Sequence, residues 1–313
     1  MVATLMRKIS FLVAAHNEEK IIRTCLESLE NLPYPNYEVV LGLDGCTDHT
    51  QEIVKEFTKK YPKIFRYILL NERTGKTAVV NKLMPHMKGD IVIINDADWK
   101  LVATKKDLEE LNTLFDNLKL GGIAESRAME MITNLQENKS LWLHTVAQAT
   151  QIWLDYMIKT QTKEKKVTKM RFPFLVNIFR KELFKENKTL SDDFERPYSI
   201  LENGYDLGIL PQDHLHREAI YTKVTFKDMY KIRMRTAKAR KQLRERNQLH
   251  ATFCNFYLPL QGYFLLKWIL IRDWRAKLGL PVWFALLYLS MIKNWRTKDI
   301  STTKEWQLRA QRQ

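Results

Sequence analysis

The sequence is poor in cysteine and has no long leading apolar segment. Its three cysteines, Cys25, Cys46 and Cys254, are odd in number and scattered, without a Cys-x-x-Cys pair. Neither a disulfide framework nor a zinc cage of cysteines is therefore expected, and a reducing compartment is indicated. The first apolar stretch, Ile9–Ala15, is too short for the core of a secretory signal peptide. We expect the chain to stay in the cytoplasm.

No segment reaches the roughly 20 predominantly apolar residues that a membrane-spanning helix needs. The best candidate, 278–292, has fifteen uncharged residues, and a second stretch, 253–271, is interrupted by Pro259 and Lys267. Both stretches carry Trp and Tyr and are flanked by Lys and Arg, a composition typical of helices in the plane of a membrane surface. Length alone does not separate this interpretation from two buried helices of the same domain.

Acidic residues are in deficit. The chain has 51 Lys+Arg and 36 Asp+Glu, so 51 − 36 gives a formal charge of +15, and ten basic residues fall in 223–246. This charge favours an anionic membrane surface as partner. The alternative is that the cations form a solvent-exposed face that keeps the protein soluble. A nucleic-acid partner is not expected, because phosphate binding does not require the carboxylates behind a strand that are described below. The 45% hydrophobic content excludes disorder and predicts a sizeable core.

Short apolar runs alternate with helical patterns from residue 9 to about 125. This alternation predicts an α/β fold with a mostly parallel sheet covered by helices on both faces. The predicted strands are Ile9–Ala15, Tyr37–Leu43, Phe65–Leu70 and Ile91–Asn95, and the predicted helices are Glu18–Leu29, Thr50–Lys60 and Thr77–Met87. We expect a catalytic domain over 1–220, divided into 1–125 and 126–220, and a basic, helical, membrane-associating region over 221–313.

Polar segments follow each of the first four predicted strands. Ligands of open α/β sheets bind at the carboxyl ends of the strands. Residues 14–19 follow the first strand, although they also suit a helix start with acids in its first turn. Asp44 ends the second strand, and Arg73 and Lys76, which follow the third, are candidates for binding a diphosphate. A P-loop is excluded, because position 70 is leucine instead of glycine.

The fourth segment places two carboxylates behind a buried strand. Asp96 and Asp98 follow Ile91–Asn95 and lie on one side if the strand continues. Clustered carboxylates repel each other unless a cation joins them. A hard divalent ion that keeps water and phosphate oxygens as further ligands suits this pair, so Mg²⁺ or Mn²⁺ is the expected cofactor.

Together these segments resemble the family-2 glycosyltransferases of GT-A fold. The matching residues are Ala14-His16-Asn17-Glu18, Asp44-Gly45-Cys46-Thr47-Asp48, Gly75-Lys76 to Asn81, and Asp96-Ala97-Asp98. The resemblance implies a nucleotide-sugar donor held by Ala15, Asn17, Glu18, Asp44, Lys76 and Asp96, and a metal held by Asp98 with Asp96. It places Asp44 near the nucleotide base. Many family members have two aspartates where this chain has Leu43-Asp44, so the base pocket departs from the pattern.

A second acidic segment, Ser191-Asp192-Asp193, precedes an apparent helix and then Gly204-Tyr205. It resembles the family's acidic pair ahead of a Gly-Tyr step. The resemblance implies that Asp193 is the catalytic base, and Asp192 is the alternative. These residues also suit a helix N-cap, a role that does not exclude catalysis.

The region that follows is basic. Residues 231–236 correspond to the Gln-x-x-Arg-Trp segment of processive synthases, but the Gln and the Trp are missing. Arg233 or Arg235 is a candidate for contacting the donor diphosphate or the acceptor. His216 is a candidate for a further metal ligand, with a surface histidine as the alternative. A processive polymer-extruding synthase is disfavoured.

The resemblance implies an inverting glycosyltransferase that uses a nucleoside-diphosphate sugar, uridine-linked by family habit. The acceptor is expected to be a hydroxyl of a saccharide or a lipid-linked molecule, and the protein is expected on the inner face of the cell membrane. The alternative is a catalytically inactive relative that binds membranes or polyanions through the same fold.

Overall fold

The computed structural model describes residues 6–124, 139–164, 166–167, 170–210, 214–220 and 224–295. The strands are β1 Ile9–Ala15, β2 Tyr37–Asp44, β3 Phe65–Leu70, β4 Ile91–Ile94, β5 Trp99–Val102, β6 Leu120–Ala124, β7 Lys166–Val167, β8 Val176–Arg180, β9 Asp206–Ile209 and β10 His216–Ala219. The helices are α1 Ile22–Glu30, α2 Thr50–Lys60, α3 Lys76–Leu83, α4 Lys105–Leu114, α5 Leu141–Gln161, α6 Asp192–Glu202, α7 Phe226–Glu245, α8 Leu258–Leu270 and α9 Trp274–Trp295.

The main sheet has the strand order β3-β2-β1-β4-β8-β6-β9-β7. The strands β3, β2, β1 and β4 are parallel, whereas β8 runs antiparallel to β4 and β6. Every residue of β1 and β4 is buried, as expected for strands with helices on both faces. The predicted mostly parallel α/β sheet is confirmed.

Alternate residues of β1 point into two different apolar cores. Phe11 and Val13 join a core with α1, α2 and α4, whereas Leu12 and Ala14 join a core with α3, α5 and the C-terminal helices. This alternation is the period-two geometry of a strand. The carboxyl ends of β1, β2, β3 and β4 therefore meet at one edge of the sheet, between the two helical layers.

The predicted strands were confirmed more closely than the first helix. The strands β1 and β3 have the predicted bounds, but α1 begins at Ile22 instead of Glu18, and its first turn holds no acid. The Glu18 carbonyl accepts hydrogen bonds from the N–H groups of Ile21 (3.0 Å) and Ile22 (2.8 Å). The interpretation of residues 16–19 as the acidic first turn of a helix is therefore corrected to a loop that precedes the helix.

The C-terminal helices pack on the catalytic layer. The segment Trp274–Asn294 is the one described helix that is long and apolar enough to cross a membrane. Its inner face is docked, because a Cβ added to Gly279 would overlap the side chain of Thr145 in α5. Asn294 is buried and donates to the Met234 carbonyl of α7 at 3.3 Å.

The residues on both sides of the expected boundary at 220 share one apolar core. Leu143 of α5, Met229 of α7 and Leu280 of α9 belong to the same buried cluster. The division into 1–220 and 221–313 stays a prediction, and residues 296–313 of the expected C-terminal region lie outside the described residues.

Candidate active site

The two aspartates after β4 lie on a tight turn instead of an extended strand. The strand β4 ends at Ile94, and the Trp99 N–H donates to the Asp96 carbonyl at 3.0 Å. Buried Asn95 fixes this turn by donating to the carbonyls of Asp96 (3.2 Å) and Trp99 (3.1 Å). The expectation of a continuing strand is corrected. The turn exposes a third of the Asp96 side chain and buries Asp98 to 6% exposure.

Asp44 anchors the loop that starts α3. Its fully buried carboxylate accepts hydrogen bonds from the Thr74 N–H (2.7 Å), the Thr74 hydroxyl (2.9 Å) and the Gly75 N–H (2.7 Å). Gly75 has φ 92°, a left-handed conformation that glycine adopts without a steric penalty. These contacts set the position of Lys76, the first residue of α3. The expected contact of Asp44 with a nucleotide base stays a prediction.

Lys76 joins the two acidic segments. Its Nζ lies 2.7 Å from Asp96 Oδ1 and 3.9 Å from Asp192 Oδ1. Burial disfavours the ammonium charge, but the carboxylates of Asp192, Asp96 and Asp193 outweigh burial and raise the pKa of Lys76 above its ordinary value. Lys76 therefore stays protonated, and it lies between Asp96 and Asp192, which are distant in sequence.

The acidic pair of α6 divides into two different environments. Asp192 is buried, and its Oδ2 accepts from Arg196 Nη2 at 2.7 Å, one helical turn later. Among the described residues, the one hydrogen bond to the Asp193 carboxylate comes from the Phe194 N–H at 3.1 Å. Burial and the neighbouring Asp192 carboxylate raise the pKa of Asp193 to about 6. Asp193 therefore has the environment of a general base, and Asp192 has that of a structural anion.

The loop before α6 is held against α3. Asn81 of α3 donates to the Asn187 carbonyl at 2.8 Å and accepts from the Asn187 N–H at 2.9 Å. The carboxylate of Glu195 accepts from the N–H groups of Lys188 (2.8 Å) and Thr189 (2.9 Å). These contacts keep the start of α6 beside Lys76.

The segment after β1 is bound to the loop after β2. Asn17 has φ 54°, donates to the Thr47 hydroxyl at 3.1 Å and accepts from the Thr47 N–H at 2.8 Å. The Glu18 N–H donates to the Thr50 hydroxyl at 2.7 Å, and buried Ala15 pairs with Leu43. Ala15, Asn17 and Glu18 thus shape the sheet edge next to Asp44. Their contact with a donor stays a prediction.

The structure does not bring His216 to the acidic turn. In the β5–β10 ribbon His216 pairs with Val102, whereas Ala219 pairs with Trp99 and the Ile220 N–H donates to the Asp98 carbonyl at 2.9 Å. Three residues of strand, about 10 Å, separate His216 from the end beside Asp98. Its Nε2 lies 3.7 Å from Glu218 Oε1 instead. This placement argues against His216 as a metal ligand.

The acidic turn is suited to a metal that the protein holds only in part. Within the described ranges, no group of three or more His, Cys, Asp or Glu side chains is arranged to hold an ion. However, Mg²⁺ and Mn²⁺ sites of nucleotide enzymes commonly take one or two carboxylates and complete their shell with water and substrate phosphates. Asp98 and Asp96 supply such a pair, and the carboxylates of Asp96, Asp192 and Asp193 share only Lys76 and Arg196 as described cationic partners.

Arg233, one of the two arginines proposed on α7, contacts α9. The Arg233 guanidinium carbon lies 4.3 Å from the Trp283 ring centroid, on α9. Burial and the nearby Arg240 lower the pKa of Arg233 to about 9. Arg235 is partly buried on the same helix. The expected contact of Arg233 or Arg235 with the donor diphosphate or the acceptor stays a prediction.

Sequence reasoning missed two residues that position the site. Arg196 neutralises Asp192, and its signal was available as an (i, i+4) pair at the start of a predicted helix. Asn95 holds the acidic turn by donating to backbone carbonyls, and no sequence pattern predicts such contacts.

Arg73, a diphosphate candidate, has buried Nε and Nη2 atoms without a hydrogen-bond partner. Burial lowers the pKa of Arg73, and the Asp44 carboxylate partly compensates for this effect.

The sheet order, with helices on both faces, is that of a GT-A-type fold. The family model described as "Glycosyl transferase family 2" matches residues 10–187, which is more than half of the chain. The chain therefore belongs to glycosyl transferase family 2.

Curated relatives agree with this assignment. A beta-monoglucosyldiacylglycerol synthase from Nostoc sp. is 34% identical over 156 residues, which cover 49% of this chain and 31% of the synthase. A dolichyl-phosphate beta-glucosyltransferase from Trichomonas vaginalis is 33% identical over 158 residues, covering 44% and 46%. The chain thus spans less than half the length of these relatives.

The fold is shared with a mannosyltransferase from Pyrobaculum calidifontis, solved in complex with GDP-Man and Mn²⁺. The TM-score is 0.62 at 18% identity, over 95% of this chain and 89% of that one. At this identity the likeness supports the fold alone.

Proposed function

We propose that the protein is an inverting glycosyltransferase that moves a sugar from a nucleoside-diphosphate sugar, uridine-linked by family resemblance, to an acceptor hydroxyl. The observation that carries this proposal is the partly buried Asp193 carboxylate, with a pKa of about 6, beside the Lys76–Asp96 pair. A base with this pKa is deprotonated at neutral pH and still accepts a proton as the hydroxyl attacks.

The remaining residues divide the other tasks. Lys76 stabilises the negative charge that develops on the leaving diphosphate, because it stays protonated throughout. Asp192, neutralised by Arg196, keeps Lys76 in place without competing for the acceptor proton. One carboxylate base and one attacking hydroxyl give a single displacement with inversion at the anomeric carbon.

The expected cofactor is Mg²⁺ or Mn²⁺ held by Asp98 and Asp96. When bound, the ion supplies Lewis-acid stabilisation of the leaving diphosphate. The contribution of the chain is the acidic turn at the carboxyl edge of the sheet, which carries both aspartates and is held by Asn95.

We also propose that the protein lies peripherally on the inner, cytoplasmic face of the cell membrane, where it meets a lipid-linked acceptor. The outward faces of α8 and α9 form an apolar surface lined by Leu258, Leu265, Leu266, Ile269, Leu270, Trp274, Leu278, Leu289 and Ile292, all more than half exposed. The turn between the helices carries exposed Arg272, and basic side chains favour anionic lipid by about 1 kcal/mol each. The docked inner face of α9 supports an in-plane position.

A donor panel tests the transferase assignment. Nucleoside diphosphate release is measured for UDP-, GDP- and other nucleotide sugars with and without Mn²⁺, for the wild type and for Asp98→Ala. Asp116→Asn is the matched control, since this carboxylate is half exposed and pairs with Arg7 at the far end of α4. We expect metal-dependent release from one donor, loss in Asp98→Ala, and wild-type release in the control.

The competing function is a catalytically inactive relative that binds membranes or polyanions. It predicts vesicle binding but no calorimetric binding of any nucleotide sugar with Mn²⁺. That pair of results would overturn the transferase proposal while leaving the fold assignment intact.

A further inference from the structure

A group of buried hydrogen-bond donors without partners lies between the C-terminal helices. The atoms are Trp153 Nε1, Tyr257 Oη, Trp283 Nε1, Tyr288 Oη, Arg233 Nε and Arg240 Nε, each buried and without a hydrogen bond. We call these six side chains the donor cage. Buried polar atoms of native proteins are satisfied in the great majority of cases, so such a concentration needs an explanation.

The six side chains belong to one connected region. The Phe172 ring contacts the ring of Trp153 (5.8 Å between centroids), the ring of Tyr257 (6.5 Å) and the guanidinium of Arg240 (5.3 Å). Arg233 lies over Trp283, and the electrostatic influence of Arg240 reaches Arg233. Tyr288 lies on α9, five residues after Trp283.

The chemistry of the donor cage selects an anion. Indole N–H and guanidinium groups donate and never accept, and tyrosine hydroxyls are able to donate. Arg233 and Arg240 lie seven residues apart on one face of α7, and no carboxylate in the described part of the chain pairs with either. Both guanidinium groups are partly buried, and burying an unpaired charge is costly, so two such cations on one helix face indicate a missing counter-ion.

A phosphate group matches these donors better than a carboxylate. Phosphate presents three or more strong acceptor oxygens in different directions, and guanidinium forks bind it in bidentate fashion. The aromatic rings of Phe172, Trp153 and Phe256 leave the remaining wall apolar. Such a wall suits the alkyl part of a phosphate ester.

The donor cage lies on the opposite side of the catalytic base from Lys76. Residues 192 and 194 of a helix point about 200° apart. Asp192 faces Lys76, whereas the Phe194 ring contacts Phe172 (6.0 Å) and Trp153 (5.9 Å). Asp193 stands between the two, so a ligand in the donor cage approaches the base from the acceptor side.

We propose that the donor cage is a phosphate-binding site, built on Arg233 and Arg240, that recognises a phosphate group of the acceptor. The assignment to the acceptor rests on the proposed glycosyl transfer, whereas phosphate binding itself does not. Arg240 is thereby a specificity-determining residue that neither motif nor spacing indicates. The ligand is either an alkyl phosphate ester or free inorganic phosphate. These two ligands should bind with different affinities, because only the ester has an alkyl part that contacts the apolar wall.

Calorimetry on the full chain tests this proposal. The probes are hexyl phosphate, inorganic phosphate, hexanol as the uncharged control, and UDP with Mn²⁺. The variants are Arg240→Gln, Arg233→Gln and Arg233→Lys, with Arg244→Gln as the matched control because Arg244 is exposed on the same helix. Thermal melting checks that each variant is folded.

We expect the wild type and Arg244→Gln to bind hexyl phosphate more tightly than inorganic phosphate and not to bind hexanol. Arg240→Gln and Arg233→Gln should each weaken hexyl phosphate binding at least tenfold, Arg233→Lys should weaken it less, and UDP binding should be unchanged in all. Tighter binding of inorganic phosphate than of hexyl phosphate would support the cage as a site for the free ion.

Two results would overturn the proposal. The first is a wild type that binds neither phosphate, or variants that bind hexyl phosphate as well as the wild type does. The second is an equal loss of UDP binding in the arginine variants, which would assign both arginines to the donor diphosphate. A third outcome separates the two proposals. If the wild type does not bind UDP but still binds hexyl phosphate through the two arginines, the proposed function is contradicted and the phosphate site is supported.

Discussion

The two adjacent aspartates of α6 lie in different electrostatic environments. Lys76 and Arg196 lie against the buried Asp192 carboxylate, whereas burial and the Asp192 charge raise the pKa of the adjacent Asp193 to about 6, although the same two cations partly oppose this rise. Two neighbouring acids of one helix turn therefore differ in role because only one has a guanidinium partner. Separating titratable groups in this way is how a site obtains a base that works near neutral pH.

Asp193→Asn should inactivate the enzyme and stabilise the fold. The pKa of Asp193 is raised to about 6, so its contribution to stability is present below its unfolded value of 3.8 and is lost as the pH rises through about 6. At pH 7 the neutral amide should increase the free energy of unfolding by up to about 3 kcal/mol, since each pKa unit of the rise from 3.8 to about 6 corresponds to roughly 1.4 kcal/mol. Urea denaturation at pH 5 and pH 7 checks this, since the gain should shrink at pH 5. Equal gains at both pH values would contradict it.

Arg233→Met should raise the melting temperature in the absence of ligand. The substitution replaces an unpaired, partly buried cation beside Trp283 with an apolar side chain of similar length, which is neutral to stabilising in buried sites. Differential scanning calorimetry compares Arg233→Met with the exposed Arg244→Met. A lower melting temperature in Arg233→Met alone would show that Arg233 has a stabilising partner.

Helices α5 and α9 cross closely enough to exclude a side chain. Gly279 of α9 has no room for a Cβ beside Thr145, whereas Gly262 of α8 has nothing within 4 Å. We expect Gly279→Leu to destabilise the protein by roughly 1–3 kcal/mol through overpacking. Gly262→Ala should be neutral or stabilising by up to about 1 kcal/mol, since alanine is the better helix former. Chemical denaturation measures both. A mild effect at Gly279 would mean that α9 separates from α5 at little cost.

Sequence patterns predicted the strands and helices better than the conformation of the loops and turns that connect them. β1 and β3 were predicted with their observed bounds because their residues are mostly apolar or aromatic, with Ser10 and Arg66 as the exceptions, and polar segments follow them. The start of α1 was wrong, since acids and an asparagine before an apolar pattern look the same in a first helical turn and in a loop. The turn at Asp96–Asp98 depends on Asn95 hydrogen bonds to carbonyls, and those are visible only in three dimensions.

The whole molecule carries its charge and its exposed apolar surface in the same C-terminal third. The basic helix α7 and the exposed apolar faces of α8 and α9 follow one another in the chain. The candidate site was predictable in so far as its residues follow strand ends. The pairing of Lys76 with Asp192 was not, because it joins segments more than 100 residues apart.

Vesicle binding should depend on both the charge and the apolar face. We expect flotation with vesicles that contain anionic lipid, weaker flotation at high salt, and loss in a Leu266→Glu, Ile269→Glu variant, because both side chains are more than half exposed on α8. Thr113→Glu, on exposed α4, is the control. Equal flotation of the double variant and the wild type would contradict the proposed orientation on the membrane.

The pH profile of kcat/KM, measured with the donor identified by the panel, tests the central claim most directly. With Asp193 as the base, the profile of the wild type should rise with pH through an apparent pKa near 6, and Asp193→Asn should lose activity by two orders of magnitude or more at every pH. Asp116→Asn should follow the wild type. An Asp193→Asn variant that keeps both its activity and the acidic limb would contradict the assignment of Asp193 as the catalytic base.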